Sequence, residues 1–384
     1  MSKPIYLDYN ATTPIDPEVA EAMIPYLYEH FGNPSSSHTY GMQTKEAIEN
    51  ARSQVAKLIN CSPKEIIFTS GGTESNNSAI RGFVDANQTK GRHIITTAVE
   101  HPAVIEVCNW LDLQGFQTTI LPVNQFGMVS PSNLEKAITP GTILVTIMHA
   151  NNEVGTIQPI RQLAQIARNR GVAFHTDAAQ SVGKLVVDVQ ELGVDMLSIA
   201  GHKLYAPKGI GAIFVRQGIQ LSNLMFGAGQ EGGRRPGTEN VLEIVALGKA
   251  CEIVNRDLKV LQSHFQKLRN QLHHGLVAAL GQENVRLNGH PEKCLPNTLS
   301  ISFRNVPANI LLASIGEQVA ASAGSACHAN NVEISNILRA INLPVEWAMG
   351  TIRLSVGRGT TTGQIDQAIS ALAEAVKKLI HNPK

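Results

Sequence analysis

What this chain lacks narrows its function first. No apolar run approaches the roughly 20 consecutive residues that a bilayer-spanning helix needs. The opening segment, Met1-Ser-Lys-Pro-Ile-Tyr-Leu-Asp8, meets a charge before any apolar stretch can form, so no secretory leader is expected there. Neither sign of charge is in excess: 32 Lys and Arg face 31 Asp and Glu, for a formal net charge of +1. Such a surface has no field to gather nucleic acid or anionic membrane, and a small-molecule substrate is expected instead. Cysteine is sparse as well. Cys61, Cys108, Cys251, Cys294 and Cys327 are odd in number and scattered, with no C-x-x-C pair. That pattern argues against a disulfide framework and a metal site, and fits reduced thiols in a cytoplasm.

What is present is a globular composition, 43% hydrophobic and 16% charged, over 384 residues. That length exceeds one ordinary core and predicts a large domain plus a smaller one. Short apolar runs alternate with helical patterns up to Val215, the signature of an α/β fold with a mixed, mainly parallel sheet covered on both faces. A long helix over Val241–Leu280 bridges to a smaller α+β domain. There the expected elements are a strand at Leu299–Phe303, helices near Ile310–Ile315 and Val332–Ala340, a strand at Ile352–Ser355 and a closing helix from Thr362. The division is 15–255 for the large domain, and 1–14 with 256–384 for the small one.

The chemistry centres on Met196–Val215. Two short apolar strands, Met196–Ile199 and Gly211–Val215, flank a polar turn carrying His202 and Lys203. A lysine held between apolar strands is partly desolvated, which lowers its amine pKa toward the range where it attacks a carbonyl. Upstream, the run Gly171-Val-Ala-Phe-His-Thr-Asp177 ends in a carboxylate. Pyridoxal phosphate needs both groups, a lysine for its aldehyde and a carboxylate to keep its ring nitrogen protonated.

Other segments are suggestive but ambiguous alone. Gly71-Gly-Thr-Glu-Ser-Asn-Asn77 follows a short strand and opens a helix, so Gly72 and Thr73 could hold a phosphate, or Thr73 could simply cap the helix. His101 stands at a strand-to-helix junction, suited to stacking and proton transfer or to a plain structural role. The run ending at Met148 gives way abruptly to His149-Ala-Asn-Asn-Glu-Val-Gly155, a polar cluster where ligands bind in doubly wound sheets. Phe226–Glu239, glycine-rich with Arg234 and Arg235, reads as an anion loop or a linker. Val319–Asn330 is built of small residues around Cys327, and a lone Cys there is either inert packing or a free thiol. Arg353 alternates with apolar residues on a strand, which suits a grip on a carboxylate.

Together these residues make the chain resemble the cysteine desulfurases of the NifS/IscS kind, in the class V aminotransferase group of fold-type I pyridoxal-phosphate enzymes. The matching segments run from Tyr6-Leu-Asp-Tyr-Asn-Ala-Thr-Thr-Pro14 to Arg353-Leu-Ser-Val-Gly-Arg358. Between them lie Phe31-Gly-Asn-Pro-Ser-Ser, Gly72-Thr-Glu-Ser-Asn-Asn, Glu100-His101, Asn151-Asn-Glu-Val-Gly, Thr176-Asp-Ala-Ala-Gln180, Gly201-His-Lys203, Arg235-Pro-Gly-Thr238 and Gly324-Ser-Ala-Cys327.

The resemblance implies pyridoxal 5'-phosphate bonded to Lys203. Asp177 would sit on the ring nitrogen, Gln180 on the ring hydroxyl, and His101 would stack on the ring and move protons. Thr73, the Gly72 backbone and His202 would hold the phosphate. Thr238 would join them from a neighbouring subunit, which implies a homodimer with composite sites. Asn152 and Arg353 would receive the substrate carboxylate region. Cys327, on a mobile loop, would attack the sulfur of L-cysteine and carry it as a persulfide to an acceptor such as an iron–sulfur scaffold, leaving L-alanine. Three positions depart from the family: Ala200 replaces a usual Ser or Thr on the phosphate, His328 replaces a Thr or Ser, and the tail after Arg353 is short for docking a scaffold. The alternative on the same scaffold is a C–S lyase or selenocysteine lyase that leaves no protein persulfide.

Overall fold

Apolar residues alternate along the short strands and sort themselves between two cores. In Ile66–Thr69, Ile66 and Phe68 enter one buried cluster and Ile67 another. The same split divides Val145 from Ile143 and Leu144, Leu197 and Ile199 from Met196, and Ala212 and Phe214 from Ile213 and Val215. Side chains that alternate across a strand and are buried on both sides require cover on both faces of the sheet. The computed structural model describes the backbone of residues 3–328 and 331–381, and side chains other than those of 325–333.

Among the described residues the large sheet has seven strands. They run in the order Ile66–Thr69, Gly211–Val215, Met196–Ala200, Ala173–Asp177, Thr142–Thr146, His93–Thr97 and Gln117–Leu121. Gly211–Val215 pairs antiparallel with both neighbours, and the other pairings are parallel. The fold is thus the expected α/β architecture with a mixed, mainly parallel sheet.

Val241–Leu280 is a single helix of 40 residues. Its first half, Ile244 to Val254, packs in the core of the large sheet, and Phe265, Leu268, Leu272 and Leu276 pack in a separate core. This second core lies on a four-stranded antiparallel sheet ordered Ser322–Ala323, Thr351–Ser355, Thr298–Phe303 and Val285–Leu287, with the closing helix Thr362–His381 against it. The N-terminal segment joins this side: Ile5–Tyr6 pairs in parallel with Val319–Ala320, and Asp8 bridges Ser355. No helix among the described residues is long and apolar enough to cross a membrane.

One expected element differs. Val332–Ala340 is not one helix: Asn331–Ile334 is a strand paired antiparallel with Ser325–His328, and only Asn336–Ala340 is helical. Ser335 starts that helix by accepting a hydrogen bond from the Leu338 N–H at 3.2 Å. The strand is set by its pairing with the segment just before it in the chain, His328 facing Asn331, and not by the periodicity of 332–340. The segment around Cys327 therefore has a backbone pattern of its own. The expected mobility of its side chain and turn lies outside the described residues.

Candidate active site

The parallel strands all end on one rim, and the candidate residues follow those ends. Asp177 closes its strand, His101 follows His93–Thr97, Asn152 follows Thr142–Thr146, and Lys203 lies in a turn, Gly201–Lys203, directly after Met196–Ala200. Ligands in sheets of this type bind at that rim. Here the rim surrounds a cavity of about 330 Å³ lined by Gly72, Thr73, His101, Asn152, Asp177, Gln180, His202, Lys203 and Arg353, with Asn10, Ala11, Asn76 and Ala200 among the other wall residues.

Backbone geometry shapes one end of the cavity. Gly71 precedes the helix Gly72–Asn87 with φ of 147°, a conformation that essentially only glycine adopts. A Cβ on Gly211 would fall 2.7 Å from Gly71 Cα, so the neighbouring strand approaches this turn too closely for any side chain. No side chain caps the helix, which leaves its first N–H groups at the cavity wall. Thr73 is thus a wall residue inside the helix and not its cap. A Cβ on Gly72 would lie 3.1 Å from Ala200 Cβ, so the two small residues keep this cradle open.

Lys203 Nζ donates to Asn10 O at 2.6 Å and Ala11 O at 2.7 Å. Burial lowers its pKa to about 8, helped by Arg353 and opposed by Asp8 and Asp177. A neutral amine is therefore accessible near neutrality, as a carbonyl nucleophile requires. Buried Asp177 accepts from Asn76 Nδ2 at 2.7 Å and from Ala179 N at 2.9 Å, so donors hold both of its oxygens. His101 Nδ1 accepts the Ala103 N–H at 3.1 Å, which places the proton of a neutral imidazole on Nε2. Burial and Lys203 lower the His101 pKa against the pull of Asp177. His202, with Nδ1 3.2 Å from Thr12 Oγ1, falls to about 4 through burial and then the charges of Lys203, Lys208 and Lys184. Next to His101, buried Glu100 takes Thr97 Oγ1 at 2.7 Å and Met148 N at 3.1 Å, tying two strand ends together.

Arg353 lies on the wall with much of its hydrogen-bonding capacity in use. Its Nη1 donates to Asn152 O at 3.0 Å, and its Nη2 to Asp8 Oδ1 at 2.8 Å and Ser322 Oγ at 3.1 Å. Nε is buried without a partner. Asn76 Oδ1 is a second buried, unpartnered atom on this wall.

The residue set fits pyridoxal phosphate. It offers an amine of lowered proton affinity, a carboxylate fixed by two donors and a small-residue cradle at a helix N-terminus, with unpartnered polar atoms between them. Two sequence candidates are not among the lining residues described. Thr238 is exposed and does not line this cavity. The Cys327 side chain is outside the described residues. Three contributors went unread in the sequence. Asn76 shares a helix face with Gly72 and Thr73, a spacing that could have found it. Asn10 and Asp8 reach the site through the N-terminal loop, which only the fold reveals.

A model of the family described as aminotransferase class V matches residues 5–368. The chain is 47% identical over 380 residues to "Cysteine desulfurase IscS" of Dictyoglomus turgidum, covering 99% of this chain and 96% of that one. Among solved structures, a "NIFS-LIKE PROTEIN" superposes with a TM-score of 0.92 at 36% identity, covering 98% of this chain and all of the other. "SspA in complex with cysteine" superposes with a TM-score of 0.80 at 37% identity, covering 92% and 99%.

Proposed function

Because this chain belongs to the class V aminotransferase family, we propose that its cavity binds pyridoxal 5'-phosphate and that the protein is a cysteine desulfurase, converting L-cysteine to L-alanine with the sulfur retained as a persulfide on Cys327. The observation that carries this reading is the convergence of Lys203, Asp177, His101, Gln180 and Thr73 on one cavity. When bound, the pyridoxal group supplies an electron sink for the substrate carbon.

The residues divide the work by position. Gly72, Thr73 and His202 hold the phosphate, Asp177 the ring nitrogen, and Gln180 the ring hydroxyl. Lys203 anchors the aldehyde end, and its lowered proton affinity lets it give up and regain a proton. His101 covers the ring and moves protons through Nε2. Arg353 and Asn152 orient the substrate carboxylate. Cys327 supplies a thiolate that forms an S–S bond with the substrate sulfur. The C–S bond breaks, its electron pair remains with the carbon skeleton, and a proton taken up there completes alanine.

Burial pushes the thiols of Cys61, Cys108 and Cys251 up to about 12, which leaves them protonated and poor nucleophiles. Cys294 is the remaining rival, partly exposed with its Sγ 2.6 Å from Arg269 Nη1. The test is mass spectrometry with product analysis after cysteine addition. One alanine per added sulfur, with the sulfur on the Cys327 peptide, is the expected result. Cys327→Ser should bind cofactor yet release no alanine, and Cys294→Ser should stay active. Pyruvate and ammonia in place of alanine would establish a C–S lyase, and alanine from selenocysteine without any persulfide from cysteine a selenocysteine lyase.

The same reading extends to assembly and setting. We propose a homodimer in which Thr238 completes the partner's phosphate site, a cytoplasmic location, and an acceptor such as an iron–sulfur scaffold for the persulfide. The separate cores on the two sheets support a large domain of 15–255 and a small one of 1–14 with 256–384.

A further inference from the structure

Lys184 is a lysine with 4% of its surface exposed, in the segment Asp177-Ala-Ala-Gln-Ser-Val-Gly-Lys184 that turns away from the site. The turn is tight: Gly183 has φ of 87°, and a Cβ there would fall 2.9 Å from Leu204 Cβ, so the residue before Lys184 is packed against the residue after Lys203. Its Nζ donates to Gln180 Oε1 at 2.8 Å and to Gln180 O at 3.2 Å. At the other end of the same amide, Gln180 Nε2 donates to Asn10 O at 3.0 Å. An apolar side chain would fill this space without the desolvation cost of an amine, so packing alone does not account for Lys184.

A glutamine amide is nearly symmetric in shape, and only its hydrogen-bond partners decide which end carries the oxygen. Asn10 O is a shared partner: it also accepts from Lys203 Nζ at 2.6 Å, a contact that changes whenever Lys203 reacts. Lys184 is buried and is not among the residues that line the cavity. With Oε1 held by Lys184 and one Nε2 hydrogen on Asn10 O, the second hydrogen is left for the cavity that Gln180 lines. We propose that Lys184 is a positioning residue that locks the Gln180 amide so that an N–H, and not the carbonyl oxygen, faces the ring oxygen of the cofactor. This rests on the reading of the cavity as a pyridoxal-phosphate site. Burial, with the charges of Lys203 and Arg353, lowers the proton affinity of Lys184.

The test uses the full-length protein stripped of cofactor and titrated with pyridoxal phosphate, and it requires no turnover. Lys184→Met should raise the cofactor Kd by about fivefold or more and shift the visible band of the bound cofactor, because a buried amide free to reverse loses one oriented hydrogen bond. In a Gln180→Ala background, Lys184→Met should change neither quantity, since the two residues act as one unit. Wild-type affinity and spectrum in Lys184→Met would overturn the proposal, as would effects of the two substitutions that simply add. Lys184→Gln, which keeps a shorter donor, guards against a Met variant that does not fold. Values between wild type and Gln180→Ala support the proposal, and wild-type values overturn it. Failure of the wild-type protein to bind pyridoxal phosphate would overturn the parent reading and this one with it, whereas the variant outcomes bear on this one alone.

Discussion

At the scale of single residues, Arg353 carries a charge fixed by the fold at the wall of the cavity. Asp8, Ser322 and Asn152 O fix its guanidinium, while buried Nε remains open. Arg353→Lys keeps the charge but cannot reach three partners at once or present a planar fork. KM for cysteine should rise by at least about tenfold while cofactor affinity holds, and an unchanged KM in steady-state kinetics would mean that the carboxylate is held elsewhere. Lys203 and Asp177 were legible in the sequence because each sits at the end of an apolar run, where a polar residue is conspicuous. Asn76 and Lys184 were not, because their roles depend on which side chains meet them across the fold. Nothing in the sequence marks Lys184 as buried, and only the fold shows that it is inside.

At the scale of elements, the central strands are joined by a buried imidazole. His175 is fully buried, with Nδ1 2.8 Å from Thr146 Oγ1 on one neighbouring strand and Nε2 3.0 Å from Ser198 Oγ on the other. Burial lowers its pKa from 6.5 to about 3, and that of His149 to about 4. Below pH 6.5 the unfolded chain therefore takes up protons that the native state refuses. Stability from these groups is complete above pH 6.5, falls as pH drops, and levels off once the folded pKa is passed. Glu100 works in the opposite sense, because its folded pKa is raised to about 8 and its contribution is lost as pH rises from 4.5 through that value. His175→Gln should flatten the fall of urea-unfolding stability between pH 6.5 and pH 4 by on the order of 1–3 kcal/mol. Parallel curves for variant and wild type would mean that His175 titrates normally. Strands such as Thr142–Thr146 and Gly211–Val215 were readable because burial on both faces leaves nearly continuous apolar runs. The strand Asn331–Ile334 was misread as helix because its partner, not its composition, decides it.

At the scale of the whole molecule, the site is incomplete within one chain if Thr238 belongs to it. Thr238 is exposed, in a loop held to the body by buried Glu231, which takes Arg52 Nη1 at 2.8 Å and Nη2 at 2.7 Å, and by Arg235 Nε on Glu74 Oε1 at 3.0 Å. The loop is thus fixed in place beside the helix that carries Thr73, yet its threonine faces outward. Phe226, in the same loop, is 92% exposed. Loss of one hydroxyl bonded to a phosphate should cost about 1.5–3 kcal/mol, so Thr238→Ala should weaken cofactor binding by about tenfold or more. Mixed dimers decide whose threonine it is. A dimer of one Thr238→Ala chain and one Lys203→Ala chain keeps a single complete site, with Lys203 from the first chain and Thr238 from the second. Half of its sites should then bind pyridoxal phosphate with wild-type affinity, although neither parent variant does. If the threonine served its own chain, the mixture would contain no site with both residues intact, and titration would show no recovery of tight binding.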